Sequence, residues 1–405
     1  MDTPRGRNQS FELTSDGYHR YSERAFHARN GVFRVVTKPG VFAWDRLDVA
    51  TRLLIEALEV GPSDTILDLG CGHGIVGLAA AGMAPQGQVY LADSNLVAVE
   101  ASRRTLALNG VTNAEVCLSD CTSALRDVAF DVVATHLPRG KATARQFIAD
   151  AAAVLKPGGR LYLAGHKRSG IKPFVAYARQ VFGNGGVIAL KKGCRVTVCV
   201  KDKGTAVPET DYYRWREFQA DIDGQTIPFV SKPGVFSWDR LDAGTRVLIE
   251  TMKIRPADTV LDLGCGCGIV GSIAARKANQ GQTYLLDSSA LAVEASRRTL
   301  VRHQVDNAQV RLSDGAAAVR DVRFDVVVTN PPFHQERQTD YNVAHQFIQD
   351  AASVLQRRGR LYVVANRFIR YERQMSECFH QVSVAYEDNL YRVLLGVRPK
   401  ASTRR

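Results

Sequence analysis

Four consecutive residues, Asn330-Pro331-Pro332-Phe333, combine a polar amide, two rigid imino acids and an aromatic ring directly after the apolar run Phe324–Thr329. Proline has no N–H for a sheet ladder, so the run reads as a strand that must stop at Asn330. An amide oxygen held at a fixed position can accept an N–H bond, and a ring beside it can stack on a planar heterocycle. A second group of residues stands upstream. "DLGCGCG" (Asp262–Gly268) follows a short apolar run and precedes a helical pattern, and Gly264, Gly266 and Gly268 let the backbone turn tightly beneath a ligand. Asp262 at the strand's end can hold a cationic or hydroxylated group. Asp287, some twenty positions on, ends the next strand and can bind two ribose hydroxyls; Asp314 ends the third and suits an adenine amino group. A glycine turn followed by two strand-end acids points to S-adenosylmethionine. The G-x-G-x-G spacing is tighter than the dinucleotide fingerprint, and no Walker lysine follows, which excludes a P-loop.

These residues need a scaffold, and the chain writes it twice. "KPGVFAWDRLDVATRLLIEAL" (Lys38–Leu58) returns as "KPGVFSWDRLDAGTRVLIETM" (Lys232–Met252), and "TILDLGCGHGIVG" returns as "TVLDLGCGCGIVG". Asp262 stands 194 positions after Asp68, but Phe347 stands 200 after Phe147, so the second copy has six extra residues beside Asn330. A unit this long is a duplicated domain rather than a solenoid repeat. In the second copy the patterning predicts strands at 259–263, 282–286, 308–312, 324–329 and 359–365, and helices at 241–252, from 269, at 290–303 and 344–355. Short β-branched runs alternating with amphipathic helices predict two tandem Rossmann-like α/β domains with doubly wound, mostly parallel sheets. The expected boundaries are 1–203 and 204–405, with a linker near 202–210. Hairpins are expected at 18–33 and 212–229, and a frayed basic tail in the last eight residues.

Copy one keeps Asp68, Gly70, Gly72, Gly74, Asp93 and Asp120, but His136, Leu137 and Arg139 replace Asn330, Pro331 and Phe333. It is expected not to transfer a group. Whether it binds cofactor stays open on sequence. Its loops hold Arg139, Lys141, Lys167, Arg168, Lys172, Lys191, Lys192 and Arg195, and the 405-residue chain has a net charge of +12, which together suit a polyanion such as RNA. Eight scattered cysteines and no secretory pattern suggest reduced thiols in the cytoplasm. C-x-C at Cys265/Cys267 has no partner pair, so no metal is expected. No apolar run reaches the roughly 18 residues of a membrane span.

The sheet, the turn and "NPPF" resemble class I methyltransferases that modify exocyclic amino groups. "PGVFSWDRLDAGTRVLIE" and "NPPFHQERQTD" resemble more specifically the tandem-duplicated bacterial ribosomal RNA guanine-N2 methyltransferases. The resemblance covers about Tyr18 to Pro399. It implies a catalytic second copy with Asn330, Pro331, Pro332 and Phe333 at the reacting base and Asn330 also at the cofactor's edge. It implies Phe236 and Ser237 as cofactor-lid positions, His334 as a substrate-loop residue, ribosomal RNA or a ribosomal subunit as partner, and a monomer. Glu336 replaces a glycine usual in the family's loop. Asn330 Oδ1 and the Pro331 carbonyl would accept the two N–H bonds of guanine N2 and so aim its lone pair. Two other readings share the motif or the charge. Adenine-N6 or protein glutamine-N5 methyltransferases carry N-P-P-aromatic, but on one copy with a separate recognition domain. A non-catalytic RNA-binding assembly factor would have a broken second site.

Overall fold

The computed structural model describes residues 19–332 and 338–400. In copy one a hairpin, β1 (Ser22–Ala28) and β2 (Gly31–Thr37), precedes α1 (Val49–Ala57), β3 (Thr65–Leu69), α2 (Ile75–Met83), β4 (Gln88–Asp93) and α3 (Leu96–Leu108). β5 (Ala114–Leu118), β6 (Phe130–His136), α4 (Lys141–Val154), β7 (Leu155–His166), α5 (Ile171–Phe182), β8 (Gly186–Lys191) and β9 (Cys194–Val200) complete it. Copy two repeats the series: hairpin β10 (Arg216–Ile222) and β11 (Gln225–Ser231), then α6 (Ala243–Thr251), β12 (Val260–Leu263), α7 (Ile269–Lys277), β13 (Thr283–Asp287), α8 (Ala290–Arg302), β14 (Ala308–Leu312) and β15 (Phe324–Thr329). It ends with α9 (Gln338–Val354), β16 (Leu355–Asn366), α10 (Glu372–Cys378), β17 (Phe379–Glu387) and β18 (Tyr391–Pro399).

Each copy builds a seven-stranded sheet, in the orders β5-β4-β3-β6-β7-β9-β8 and β14-β13-β12-β15-β16-β18-β17. The first five strands of each are parallel, β9 and β18 run opposite to them, and the edge strands β8 and β17 pair antiparallel with β9 and β18. The central strands are buried on both faces, as the Val-Leu-Asp-Leu run of β12 requires, and each sheet divides its core into two apolar layers. The predicted strands and helices of copy two are present within a few residues. β16 is longer than its pattern. Neither edge strand β8 nor β17 was expected, because their faces are mostly exposed and carry little alternation. The expected tail is ordered in part: Arg398 and Pro399 finish β18 and Lys400 N–H donates to the Cys378 carbonyl at 2.8 Å.

The ending of the fourth strand differs between copies for a visible reason. In copy one β6 runs on through His136, and Leu137 N–H donates to the Ala164 carbonyl at 2.7 Å. Pro331 has no N–H to make the equivalent bond, and β15 stops at Thr329.

The copies are joined reciprocally. Leu96 N–H donates to the Ser288 carbonyl at 2.8 Å and Ala290 N–H to the Ser94 carbonyl at 2.9 Å, so α3 and α8 begin against each other. The residue after each hairpin crosses over: Lys38 pairs with Asp314, and Lys232 with Asp120. The residues before each hairpin cross as well. His19 Nε2 lies 2.7 Å from Asp350 Oδ1, and the Tyr213 hydroxyl donates to Asp150. Tyr212 is buried in the copy-one core, so the stretch after the polar linker packs on copy one before the chain enters β10.

Candidate functional site

The C-terminal ends of β12 to β15 meet at one edge of the second sheet. Asp262 sits 2% exposed at the end of β12, and its Oδ2 accepts the Gly271 N–H at 2.7 Å. Expected at a ligand, its described contact instead holds the turn to α7; burial pushes its carboxyl up to about 7. Gly264, Gly266 and Gly268 have φ of +81°, +56° and +79°, conformations that a Cβ disfavours. A Cβ built on Gly266 would meet nothing within 4 Å among the described residues, which leaves room over this turn of the kind a ligand can fill. Gly266 N–H donates to Asp287 Oδ2 at 3.1 Å and Ser289 N–H to Oδ1 at 2.9 Å, which fixes the acid at the rim of the turn. Burial raises the Asp287 carboxyl against these N–H bonds.

Asp314 is shared with the other copy. One carboxylate oxygen carries Lys38, with His19 Nδ1 at 3.8 Å; the other is buried with no hydrogen-bond partner among the described residues. Burial alone would raise its carboxyl, but His19 and Lys38 hold it below the usual range. Lys38 is fully buried with its ammonium 5.5 Å from the Tyr21 ring centre; Lys232, 1% exposed, lies 4.4 Å from Tyr212 and 4.9 Å from Tyr213. Both lysines stand in the repeated "KPGVF", but one copy's sequence alone cannot tell that the pairing partner lies in the other.

Asn330 is held by two residues the sequence reading also missed. Its Nδ2 donates to Thr245 Oγ1 at 2.9 Å and to Asp242 Oδ2 at 3.2 Å. The Thr245 hydroxyl itself lies 3.2 Å from Asp242 Oδ2, and Thr245 N–H donates there at 2.9 Å. A carboxylate can only accept, so the amide cannot be flipped without placing oxygen against oxygen. Asn330 Oδ1 is thereby left pointing away, buried and without a partner among the described residues. The available signal was Asp242 as helix N-cap with Thr three residues later, in a segment that the chain repeats.

Pro331 is buried and Pro332 exposed. Phe333 and His334 lie outside the described residues, as does Glu336. Phe236 is 62% exposed, which removes a core role and leaves its ring at the surface. Ser237 has φ of +48° and donates its hydroxyl to the Arg240 carbonyl, closing the turn between them. No group of three or more His, Cys, Asp or Glu side chains among the described residues could hold a metal, and none of the eight cysteines is paired. No helix among the described residues is long and apolar enough to cross a membrane.

Copy one reproduces the turn and the acids, and a cavity of about 1140 Å³ opens over them. Its fourth strand ends differently. His136 Nε2 lies 3.2 Å from Asp48 Oδ2, the place Asn330 takes against Asp242. Burial would raise the Asp48 carboxyl; the His136 bond and charge and the N–H groups of Thr51 and Ala50 outweigh it and bring it to about 2. Arg139 and Lys141 line the cavity, while Lys167, Arg168, Lys172, Lys191 and Lys192 are exposed around the same end of the sheet. The β8–β9 turn reaches that end because Lys167 N–H donates to the Gly193 carbonyl at 2.9 Å.

The Methyltransferase small domain family matches the chain twice, over residues 32–198 and 226–395. "Ribosomal RNA small subunit methyltransferase C" of Pseudoalteromonas atlantica is 35% identical over 271 residues, 66% of this chain and 77% of the relative. The protein of the same name from Stutzerimonas stutzeri is 36% identical over 256 residues, 62% of this chain and 75% of its own. A solved structure, the T. thermophilus 16S rRNA N2 G1207 methyltransferase in complex with AdoMet and guanosine, superposes with a TM-score of 0.80 at 28% identity, covering 95% of this chain and all of that one. Two matched domains, the sheet order and the length of these alignments agree: the chain belongs to the methyltransferase small domain family, in the tandem-duplicated branch of the ribosomal RNA guanine-N2 methyltransferases.

Proposed function

We propose that this chain methylates the exocyclic N2 amino group of a guanine in small-subunit ribosomal RNA, with the second copy performing the transfer. The relatives' names and the solved relative's two ligands support the reaction. The observation that carries the assignment to copy two is the fixed amide of Asn330, whose oxygen is buried at the end of β15 and has no partner among the described residues.

S-adenosylmethionine, when bound, supplies an electrophilic methyl group. Asp287 would hold the ribose hydroxyls, Asp314 Oδ1 the adenine amino group, and the open turn at Gly264, Gly266 and Gly268 the body of the cofactor. Asp262 keeps that turn in place. The N2 lone pair of guanine is delocalised into the ring and is a weak nucleophile. An acceptor fixed before the base arrives draws an N–H toward it and turns the lone pair out of the ring plane. As N2 becomes positive, the bond to Asn330 Oδ1 strengthens, and so does one to the Pro331 carbonyl; this is stabilisation specific to the transition state. No strong base is required, because the N2 proton becomes acidic once the new bond has formed.

Phe333 would stack on the base after it leaves its helix or loop. The basic end of the copy-one sheet would grip RNA phosphates beside the site. Such an enzyme works in the cytoplasm as a monomer. Mass spectrometry of ribosomal RNA nucleosides, with and without this chain, tests the reaction: loss of N2-methylguanosine at one position is expected. Loss of N6-methyladenosine instead would transfer the assignment to adenine.

A further inference from the structure

We infer that copy one is a second binding site for a 5′-thioadenosine ligand, S-adenosylmethionine or S-adenosylhomocysteine, that binds without transferring a methyl group. The inference rests on the reading of copy two as an adenosylmethionine site, because the argument is the identity of the two adenosyl halves.

That identity extends to individual hydrogen bonds. Asp68 Oδ2 accepts the Gly77 N–H at 2.8 Å, as Asp262 accepts Gly271 at 2.7 Å. Gly72 N–H donates to Asp93 Oδ2 at 3.1 Å, as Gly266 donates to Asp287 at 3.1 Å. Asn95 N–H donates to Asp93 Oδ1 at 2.9 Å, the distance from Ser289 to Asp287. The three turn glycines have φ of +78°, +59° and +79°. A turn kept only for folding could close over itself. Here, among the described residues, a Cβ on Gly72 would meet only Val41, at 3.9 Å, and the cavity of about 1140 Å³ lies above it, ample for a nucleoside-sized ligand.

The far end of the cavity points the same way. Asp120 gives one oxygen to Lys232, and its Oδ1 is buried with no hydrogen-bond partner among the described residues. A buried acceptor without a donor is unfavourable, and the amino group of an adenine would relieve it. Gly234 and Leu291 of copy two, with Tyr212 of the connection, complete the wall. The pocket is therefore assembled only in the joined molecule.

At the end of the fourth strand, what copy one lacks belongs to the reacting half; at the lid position of Ser237 it has Ala43. His136 occupies the place of the amide and Leu137 that of the first proline, so the fixed acceptor pair is gone while the adenosyl half is intact. Loss of transfer and loss of binding are separate events, and the turn and the strand-end acids carry a trace of neither.

Isothermal titration calorimetry on the full chain tests this, with S-adenosylmethionine and S-adenosylhomocysteine titrated in separate experiments. Two sites per chain are expected with at least one of the two ligands, and the ligand that fills both identifies which form copy one takes. Asp93→Ala should weaken one site at least tenfold and leave the other; Asp287→Ala should do the converse. Asp93→Asn, which keeps the side chain's shape, replaces the alanine variant if that does not fold. One site with both ligands, removed by Asp287→Ala and insensitive to Asp93 substitution, overturns the inference and leaves the proposed function standing. One site that depends on Asp93 and ignores Asp287 overturns the cofactor assignment of copy two instead.

Discussion

The two halves of this chain share one scaffold and differ at the end of one strand. In copy two, Pro331 ends the ladder and Asn330 turns a fixed carbonyl oxygen into the site. In copy one, Leu137 continues the ladder by donating to Ala164, and His136 pairs with Asp48. The glycine turns and strand-end acids are otherwise matched to a few tenths of an ångström. On the proposed function, chemistry depends on a few residues placed at a strand terminus, while the turn and its acids are a property of the scaffold. On that reading, duplication lets one copy change the first while the second stays as it is.

The largest effect expected is on that strand end. Asn330→Ala removes an acceptor that matters most as N2 becomes positive, a contact worth about 2.7–4 kcal/mol, so turnover should fall by roughly two to three orders of magnitude. Cofactor affinity should hardly change. His136→Ala should leave the rate near wild type. Single-turnover methylation of a guanine-containing ribosomal RNA fragment compares the two; equal damage would mean that both copies transfer methyl groups.

The second comparison is between the crossed lysines. Removing one partner of a buried ion pair leaves a stranded charge, at a cost of about 3–5 kcal/mol. Asp120 and Asp314 side chains are 18% and 20% exposed, so the low end of that range applies. Lys232→Met leaves Asp120 stranded, whereas Lys38→Met leaves Asp314 with His19 nearby. Urea unfolding should show the greater loss for Lys232→Met, and equal losses would remove His19 from the account.

The repeat, the glycine turns, the acids and the stop at Thr329 were legible because each is local: a glycine spacing, a strand length, a proline. The pairing of Lys38 with Asp314 was not, since the two are far apart in sequence and each copy also holds its own Asp. The pin on Asn330 was half visible, as Asp242 and Thr245 have cap spacing, but a cap reads as helix geometry until the fold brings β15 beside it. The edge strands β8 and β17 escaped because exposure on both faces erases their alternation.

Next in size is Asp287, the acid proposed to hold the cofactor's ribose. Asp287→Ala should weaken S-adenosylmethionine binding at that site tenfold or more, since hydrogen bonds to a charged acceptor are worth about 1.5–3 kcal/mol. Unchanged affinity at every site of a folded variant, measured by calorimetry, would remove Asp287 from the cofactor site. A smaller effect is expected at the basic end of copy one. Reversing charge at Lys191, Lys192 and Arg195 should lower RNA affinity, and each lost phosphate contact should reduce the log–log salt slope by about 0.7–0.9. The same reversal should leave cofactor affinity in copy two alone. A wild-type salt slope would place the RNA on another surface.

The smallest effect separates the two pre-hairpin contacts by pH. His19 reaches Asp350 and Asp314 from copy one, and Tyr213 reaches Asp150 from the connection. Burial alone would lower the His19 pKa, but its bonds to Asp314 and Asp350 outweigh this and raise it to about 9. Burial and neighbouring acids push the Tyr213 hydroxyl up, so it stays neutral through the same range. A histidine whose folded pKa is raised stabilises fully below its unfolded value near 6.5 and loses that contribution as pH rises through about 9. At 25% side-chain exposure the contact is partly screened, so the contribution should be about 1 kcal/mol. His19→Gln should therefore be less stable than wild type at pH 6 and close to it at pH 10. Tyr213→Phe should lose the same amount at both. Urea midpoints at the two pH values measure this, and a His19→Gln deficit that persists at pH 10 would show that His19 acts by packing rather than by charge.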